Sequence, residues 1–132
     1  MVVVSGYFDP IHVGHLEYLE MAKKLGDKLI VIVNNDEQAI LKKGKPFMKG
    51  EERLKIVRAL KCVDEAYLSI DHDRTVCRTL EELDRLEKVD IFANGGDVTK
   101  CAEEGVCNKL GIKLVYGLGG KIQSSSWLTK KN

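Results

Sequence analysis

Two short apolar segments on either side of one helical segment limit the possible folds of this chain more than any other feature. Residues 1–5 and 28–33 consist mainly of valine, isoleucine and leucine, and each has the length of a single strand. Between them, from His12 to Leu25, apolar residues recur at helical spacing, and Gly26 is a common type of helix end. A strand that is apolar on both faces has to be buried on both faces by other elements of the fold. The three segments therefore predict a βαβ unit with parallel strands.

The alternation of strands and helices continues along the rest of the chain. We predict further strands over residues 65–70, 90–93 and 113–116, and further helices over residues 50–61, 75–86, 102–110 and 124–130. A length of 132 residues fits a single domain. Five strands that alternate with helices predict the α/β class, with a Rossmann-like, doubly wound sheet of five parallel strands as the middle of three layers.

The carboxyl ends of the strands are where such sheets bind their ligands. The corresponding loops are predicted at residues 6–11, 34–35, 71–73 and 94–99, and we expect them to converge. One of these loops contains Asp71, His72 and Asp73. Three consecutive residues rarely face one ion, so we interpret that loop as solvated rather than as a metal site.

The loop after the first strand carries the residues best suited to phosphate chemistry. His12 and His15 are three positions apart at a predicted helix start, so they share one face near free backbone N–H groups that attract anions. Gly6 lets a phosphate approach the backbone, and Gly14 leaves room for a nucleotide over the helix start. Two alternatives remain open for the histidines: they only cap the helix, or they bind a metal ion as a pair.

The ten residues from Gly6 to His15 resemble the His-x-Gly-His signature of the nucleotidylyltransferase superfamily, and the continuation to Asp27 resembles its cytidylyltransferase branch. The similarity extends along the whole chain. It includes the strand end at 34–36, the lysine segment with Lys42, Lys43 and Lys45, the helical Arg53, the string 62–66, the Gly-Asp turn at 95–97 and a serine motif at 124–126.

The resemblance implies an activity and a set of site residues. Members of this family transfer a nucleoside monophosphate, here CMP from CTP, to a phosphorylated small molecule such as a sugar or polyol phosphate. Pyrophosphate is released, and Mg²⁺ assists. His12, His15 and Lys45 are the implied catalytic residues, and Asp9 is an implied Mg²⁺ ligand. The implied nucleotide-binding residues are Gly6, Tyr7, Phe8, Asp9, Gly14, Gly95, Asp97, Lys121, Ser124, Ser125 and Ser126.

Departures from the family pattern leave two alternatives open. Pro10 after Asp9 is more typical of adenylyltransferases, so ATP is the alternative donor. The arginine that precedes the serine motif in the family is missing, because Gly119 and Gly120 occupy that stretch and Lys121 is the nearby cation. A nucleotide-binding domain without turnover is therefore the non-enzymatic alternative.

Three further features are interpreted in the light of the resemblance. The lysines at 42, 43 and 45 lie beside a glycine and a proline, and we expect this flexible segment to close over the β and γ phosphates, with a solvated loop as the alternative. The serines at 124–126 offer hydroxyl groups to a triphosphate, with a plain helix cap as the alternative. Trp127 is expected in the core or at a dimer contact.

Composition and charge exclude several function classes. Twenty-one basic and 20 acidic residues give a net charge of +1, which argues against nucleic acid as the main partner. No segment has the length and apolarity of a membrane span and no signal peptide is evident, so we expect a cytoplasmic protein. The four cysteines form no Cys-x-x-Cys pair and are expected to be reduced. A homodimer is expected from the resemblance alone.

Two other enzyme classes fit the sequence poorly. A dinucleotide-dependent oxidoreductase shares the predicted sheet, but its Gly-x-Gly-x-x-Gly fingerprint is missing after the first strand, where Gly6 is followed by Tyr7 and Phe8. A class I aminoacyl-tRNA synthetase shares the histidine motif but needs a far longer chain.

Overall fold

Five strands and five helices form the fold over residues 1–95 and 100–118, the part of the chain that the computed structural model describes. The strands are β1 (Val2–Gly6), β2 (Leu29–Val33), β3 (Glu65–Leu68), β4 (Ile91–Gly95) and β5 (Lys113–Leu118). The helices are α1 (Val13–Lys23), α2 (Asp36–Lys43), α3 (Gly50–Arg58), α4 (Cys77–Leu86) and α5 (Glu104–Leu110). Strands and helices alternate as predicted, except that α2 and α3 follow one another.

The sheet has the order β3-β2-β1-β4-β5, and every neighbouring pair is parallel. From β1 the chain first adds strands on one side and then returns to add β4 and β5 on the other. The order therefore reverses between β1 and β4, and their carboxyl ends open a crevice where ligands of such sheets bind. The predicted doubly wound sheet of five parallel strands is confirmed.

Alternating side chains of the strands feed two separate cores, one on each face of the sheet. Val2 and Val4 of β1 pack with Leu19 of α1 and Val57 of α3. Val3, which points to the opposite face, belongs to a cluster that includes residues of α4 and α5. Both faces are therefore covered by helices, which is the predicted three-layer arrangement and explains why β1 and β2 are apolar throughout.

Helix α2 occupies a segment that the sequence predicts as a loop, and this prediction is wrong. The helix has strong local signals: Asn35 and Gln38 form a reciprocal capping box, and Gly44 ends the helix with a φ of 85°. It has no apolar stripe, however, because its two large aliphatic residues, Ile40 and Leu41, are 53% and 54% exposed. Periodicity alone does not reveal such a helix.

Two helices, α1 and α3, end earlier than predicted. The predicted helix from His12 to Leu25 is regular over Val13–Lys23, and its last turn tightens into bonds such as that from the Leu25 N–H to the Ala22 carbonyl, 3.0 Å. Helix α3 ends in the same way after Arg58. Tight last turns of this kind satisfy carbonyl groups that a longer helix would otherwise bond. The predicted helix over 124–130 lies outside the described residues.

The described residues also allow two predictions to be compared with the structure, one on membrane-spanning helices and one on the state of the cysteines. None of the helices within residues 1–95 and 100–118 has the length and apolar character needed to cross a lipid bilayer. All four cysteines fall in these ranges and carry free thiols.

Candidate active site

A cavity of about 410 Å³ lies at the carboxyl end of β1, in the crevice that the strand order creates. Its lining residues come from the end of β1, from the following loop, from the start of α1 and from the last turn of α2: Ser5, Gly6, Tyr7, Phe8, Asp9, Pro10, His12, His15, Lys42 and Lys43. The structure thus brings together six of the residues predicted for the site, together with two lysines of the predicted lysine segment. A second groove, of about 370 Å³ between β3 and α4, is mainly apolar and contains no histidine or lysine.

His12 and His15 start helix α1 through a reciprocal pair of hydrogen bonds. The Gly14 N–H donates to Nδ1 of His12 and the His12 N–H donates to Nδ1 of His15, both at 3.1 Å. A ring nitrogen that accepts from an N–H carries no proton, so each neutral ring is assigned its proton on Nε2. Neither Nε2 bonds to another described residue, and both rings line the cavity. The two histidines cap the helix and still offer one donor each.

The protonation state of His15 follows from its surroundings. Burial, and then the charge of neighbouring His12, lower the pKa of His15 to about 4. Its ring packs edge-on to Phe8, with ring centroids 5.1 Å apart, and lies 4.0 Å from the ring of His12. At neutral pH in the absence of a ligand, His15 is therefore a neutral hydrogen-bond donor rather than a cation.

Gly6 and Gly14 are required for contacts within the loop. A Cβ atom at Gly6 would lie 2.9 Å from the ring of Phe8, and a Cβ atom at Gly14 would lie 3.0 Å from Cε1 of His12. From the sequence, these glycines are predicted to leave space for a phosphate and a nucleotide. In the structure that space is taken by the two rings, because Phe8 folds back over the end of β1 with a φ of 51°.

Asp9, the predicted Mg²⁺ ligand, is engaged by the chain itself. Its carboxylate accepts the backbone N–H groups of Phe47 and Met48 at 2.8 and 2.7 Å, and it pairs with the Lys43 ammonium at 2.8 Å. Burial raises the pKa of Asp9, but the hydrogen bonds from Lys43, Phe47 and Met48 outweigh burial and lower the pKa below its ordinary value. The group is therefore ionised and fully surrounded by donors.

The described residues contain no cluster of side chains that would hold a metal ion without a ligand. Divalent cations such as Mg²⁺ bind through oxygen ligands, and a protein-held site needs several of them. Over residues 1–95 and 100–118, no three histidine, cysteine, aspartate or glutamate side chains are placed to hold one metal ion. The alternative of a metal bound by His12 and His15 finds no further ligand in these ranges.

Arg53 joins three loops beneath the cavity. Its guanidinium is completely buried and donates to the carbonyl groups of Tyr7, Asn34 and Met48 at 2.7–2.9 Å. It also donates to the carboxylate of Asp36 at 2.8 Å. The resemblance assigns Arg53 to a family motif but predicts no role for it. The structure shows that its charge organises the ends of β1 and β2 and the start of α2.

Two lysines of the predicted segment, Lys42 and Lys43, reach the cavity. Lys42 places its ammonium 4.3 Å from the ring centroid of Tyr7, and Lys43 pairs with Asp9. Both line the cavity, whereas the predicted catalytic Lys45 is exposed and outside the lining. Helix α2 accounts for this arrangement, because it carries Lys42 and Lys43 in its last turn and ends before Lys45.

Gly95 ends β4 beside the crevice, where close packing requires a glycine. A Cβ atom there would lie 3.0 Å from the Leu118 carbonyl oxygen and 3.0 Å from the ring of Tyr18. Tyr18 in turn donates its hydroxyl to the Ala93 carbonyl at 2.8 Å, and burial raises its pKa. The other predicted nucleotide-binding residues, Asp97, Lys121, Ser124, Ser125 and Ser126, lie outside the described residues.

Comparison with known proteins places this cavity in a family. A cytidylyltransferase-like family model matches residues 3–119. An FAD synthase from Archaeoglobus profundus is 48% identical over 96 residues, which are 73% of this chain and 57% of that protein. The bifunctional protein HldE from Hahella chejuensis is 37% identical over 130 residues, which are 97% of this chain and 25% of that protein. The chain thus spans just over half of one relative and a quarter of the other.

A solved structure shares both the fold and the sequence pattern. The lipopolysaccharide core biosynthesis protein from Thermoplasma volcanium GSS1 superposes with a TM-score of 0.73 at 33% identity, over 90% of this chain and 96% of that chain. The family match covers β1 to β5 and therefore includes the complete cavity. The chain belongs to the cytidylyltransferase-like family of nucleotidyltransferases.

Proposed function

We propose that this chain transfers the adenylyl group of ATP to a phosphorylated small molecule, with FMN as the first acceptor to test. The observation that carries the transfer reaction is the pair of histidine rings at the cavity, His12 and His15, whose Nδ1 atoms both accept backbone N–H groups and so leave Nε2 available to donate. FAD is FMN joined to AMP, so an FAD synthase is an adenylyltransferase by its chemistry. The 48% identity to one such protein supports ATP over the CTP that the resemblance implies.

The reaction proceeds by in-line displacement at phosphorus. An oxygen of the acceptor phosphate forms a bond to the α-phosphorus of the nucleotide, the bond from that phosphorus to the bridging oxygen breaks, and pyrophosphate leaves on the opposite side. No covalent enzyme intermediate is required. Most of the rate enhancement then comes from positioning and from stabilising the charge that develops on phosphate oxygens.

The residues of the cavity suit these two tasks. His12 and His15 donate from Nε2 to the α-phosphate and to the bridging oxygen as negative charge builds up, and the start of α1 adds its backbone N–H groups. Lys42 is the first candidate to hold the leaving pyrophosphate, because its ammonium already lies over Tyr7 at the cavity wall. Lys45 remains a second candidate, with Lys121 and the serines 124–126 proposed for the triphosphate tail.

Mg²⁺ is proposed to arrive on the nucleotide phosphates rather than on a site of the protein. The described residues contain no ligand cluster for it, and the carboxylate of Asp9 is occupied by three donors. The steps above therefore depend only on residues of the chain. Dependence on Mg²⁺ is measured by repeating the assays below with the metal chelated.

A sugar phosphate is the second candidate acceptor. It is favoured by the 37% identity to HldE over nearly the whole chain and by the similarity to a lipopolysaccharide core biosynthesis protein. The donor is ATP or CTP in this case. The chemistry at phosphorus and the roles of His12 and His15 are the same for either acceptor.

Pyrophosphate release tests the proposal directly. The purified chain is incubated with ATP, CTP, GTP or UTP and with FMN, a sugar 1-phosphate or glycerol 3-phosphate, with and without Mg²⁺. We expect release with ATP and FMN, together with FAD as the product. Release only with CTP would replace ATP as the donor. Release only with a sugar phosphate would replace FMN as the acceptor. No release with any pair, together with thermal stabilisation by a nucleotide, would support the nucleotide-binding domain without turnover.

A further inference from the structure

We infer that Asp9 is a positioning residue, whose buried carboxylate ties residues 43–48 to the loop after β1 and so holds the lysines of α2 at the cavity. The inference rests on the proposed function for its kinetic consequences. Its structural content, a link between two loops, can be tested without any catalytic assay. It replaces the role of Mg²⁺ ligand that the resemblance implies for this residue.

The contacts of Asp9 reach across a long stretch of sequence. One carboxylate oxygen accepts from the Met48 N–H at 2.7 Å, and the other accepts from the Phe47 N–H and from Lys43 Nζ, both at 2.8 Å. The Lys43 ammonium also donates to the Asp9 backbone carbonyl at 2.8 Å. The donors are 34 to 39 positions away in sequence, so one residue joins the loop after β1 to the end of α2 and to the residues just before α3.

Burial makes this link strong. The side chain of Asp9 is 0% exposed, while that of its partner Lys43 is 36% exposed. Hydrogen bonds to an ionised acceptor are stronger than those between neutral groups, and a buried charge is retained only where partners surround it. The carboxylate meets this condition with three donors, all supplied by residues 43–48.

Arg53 extends the link on the other side of Met48. It donates to the Met48 carbonyl at 2.9 Å and to the Tyr7 carbonyl at 2.8 Å. Met48 is thus held through its N–H by Asp9 and through its carbonyl by Arg53. This double attachment fixes the far end of the segment that begins with Lys42 and Lys43, and it keeps Lys42 over the ring of Tyr7.

The same contacts argue against Asp9 as a metal ligand. A metal ion would have to displace Lys43 or a backbone N–H, and the displaced groups would then lose a buried partner. Within the described ranges, Asp9 belongs to no group of three or more histidine, cysteine, aspartate or glutamate side chains that could hold an ion. The geometry therefore indicates that the carboxylate binds groups of the protein rather than a metal ion.

The variant Asp9→Asn tests the inference with little change in size. An asparagine oriented to accept from Met48 turns its own NH₂ group toward the Phe47 N–H and the Lys43 ammonium, so donors face donors. Lys43→Met removes the ammonium and leaves both backbone donors in place. Asp27→Asn, at an exposed position in the turn after α1, is the matched control. Circular dichroism and thermal melts confirm that each variant is folded.

Two measurements separate the possible outcomes. Without nucleotide, we expect the Phe47 and Met48 amides to exchange hydrogen faster in Asp9→Asn, and to keep their protection in Lys43→Met and Asp27→Asn. In the ATP assay, we expect the KM for ATP of Asp9→Asn to rise about tenfold with a smaller change in kcat. The Mg²⁺ concentration for half-maximal rate, measured at saturating ATP, stays unchanged.

Other results would overturn the inference. Unchanged exchange at residues 47 and 48 in Asp9→Asn excludes the link, and a raised Mg²⁺ requirement at an unchanged KM for ATP restores the metal-ligand role. A parent protein that releases no pyrophosphate with any donor contradicts the proposed function instead. The exchange measurement still decides the role of Asp9 in that case, so the two failures are distinguishable.

Discussion

Helices α1 and α2 begin with the same reciprocal capping arrangement, yet only the capping side chains of α1 present polar atoms to the cavity. In α1 the pair is His12 and His15, which bond through Nδ1 and keep Nε2 available. In α2 the pair is Asn35 and Gln38, which also bond to each other's backbone N–H groups. The two helix starts follow neighbouring strands of the sheet, so their different chemistry comes from the capping side chains.

The difference lies in what each side chain has left after capping. The remaining amide groups of Asn35 and Gln38 bond to Asn34 and to the carbonyl groups of residues 69, 71, 73 and 75 at 2.6–3.0 Å. Gln38 is completely buried in this network. The start of α2 is therefore a scaffold that fixes the loop after β3. An imidazole, with its second nitrogen on the far side of the ring, caps the helix and still has a donor for a ligand.

The largest expected effect comes from separating the two functions of His15. His15→Gln retains a side chain that can accept the His12 N–H, as glutamine does at this position of a capping box, but it lacks the Nε2 donor. Loss of one preorganised donor costs about 2.7–4 kcal/mol of transition-state stabilisation, so we expect kcat to fall at least about a hundredfold. The melting temperature should stay close to that of the parent. The check is kcat together with a thermal melt.

His12→Asn provides the matching variant, because asparagine is a favoured helix cap and also lacks the second ring nitrogen. Full activity in either variant would remove that histidine from the mechanism. A large loss of stability with unchanged kcat would show that capping is its main role.

A smaller effect is expected when the ring of His12 is displaced rather than removed. In Gly14→Ala the new Cβ lies 3.0 Å from Cε1 of His12, so the ring has to move by a few tenths of an ångström. We expect kcat to fall about tenfold as the donor leaves its aligned position. Alanine favours the helix by about 0.5–1 kcal/mol over glycine, which offsets the crowding in stability.

Gly105→Ala is the control, because a Cβ at that helical position meets nothing within 4 Å. It should raise the melting temperature slightly and leave kcat unchanged. Equal kcat in Gly14→Ala and in the parent would show that the position of the His12 ring tolerates this displacement.

Disrupting the hydrogen-bond network at the start of α2 should lower stability more than activity. Gln38→Leu leaves the Asp73 and Thr75 carbonyl groups and the Asn35 N–H without their partners. Unsatisfied buried groups cost about 1–3 kcal/mol each, so the melting temperature is expected to fall by several degrees. Activity per folded molecule should change less than in any variant of His12 or His15. A kcat loss that matches His15→Gln would instead give α2 a direct part in the reaction.

The smallest effect concerns pH. Because the pKa of His15 is about 4 in the folded chain and 6.5 ordinarily, the unfolded chain takes up a proton below pH 6.5 that the folded chain does not. The free energy of unfolding should therefore decrease as pH falls from 6.5 to 4, and more in the parent than in His15→Gln. The half-exposed ring keeps this effect small. Melting temperatures at several pH values measure it, and parallel curves for the two proteins would contradict it.

The prediction of the fold succeeded where side chains are sorted by periodicity. The apolar strands 1–5 and 28–33 and the helix from His12 place the first βαβ unit correctly, because both faces of those strands are buried. Helix α2 was not predicted, because its buried residues are Gln38 and Ala39 and its large aliphatic residues face water. The signal that could have found it is the pairing of Asn35 with Gln38, followed by Lys42 and Lys43 in the last turn.

The site was predicted in part for a similar reason. His12, His15 and the preceding loop lie together in the cavity because they are neighbours in sequence. The link made by Asp9, the role of Arg53 and the placement of Lys42 over Tyr7 are not predicted by the sequence, since each depends on a contact with a residue at least 34 positions away or on a helix that the periodicity does not show. Lys45 is predicted as a catalytic residue because residues 42–45 were expected to form one flexible segment, whereas α2 ends before Lys45.

By itself, the sequence determined the strands, most of the helices and the histidine cap of α1, because these depend on local spacing and on residues a few positions apart. Tertiary structure alone decided the order β3-β2-β1-β4-β5, which opens the crevice beside β1. It also decided that the carboxylate of Asp9 serves the chain and that Lys42 and Lys43 reach the cavity. Such roles depend on which distant donors surround a buried charge, and only the folded chain brings those donors together.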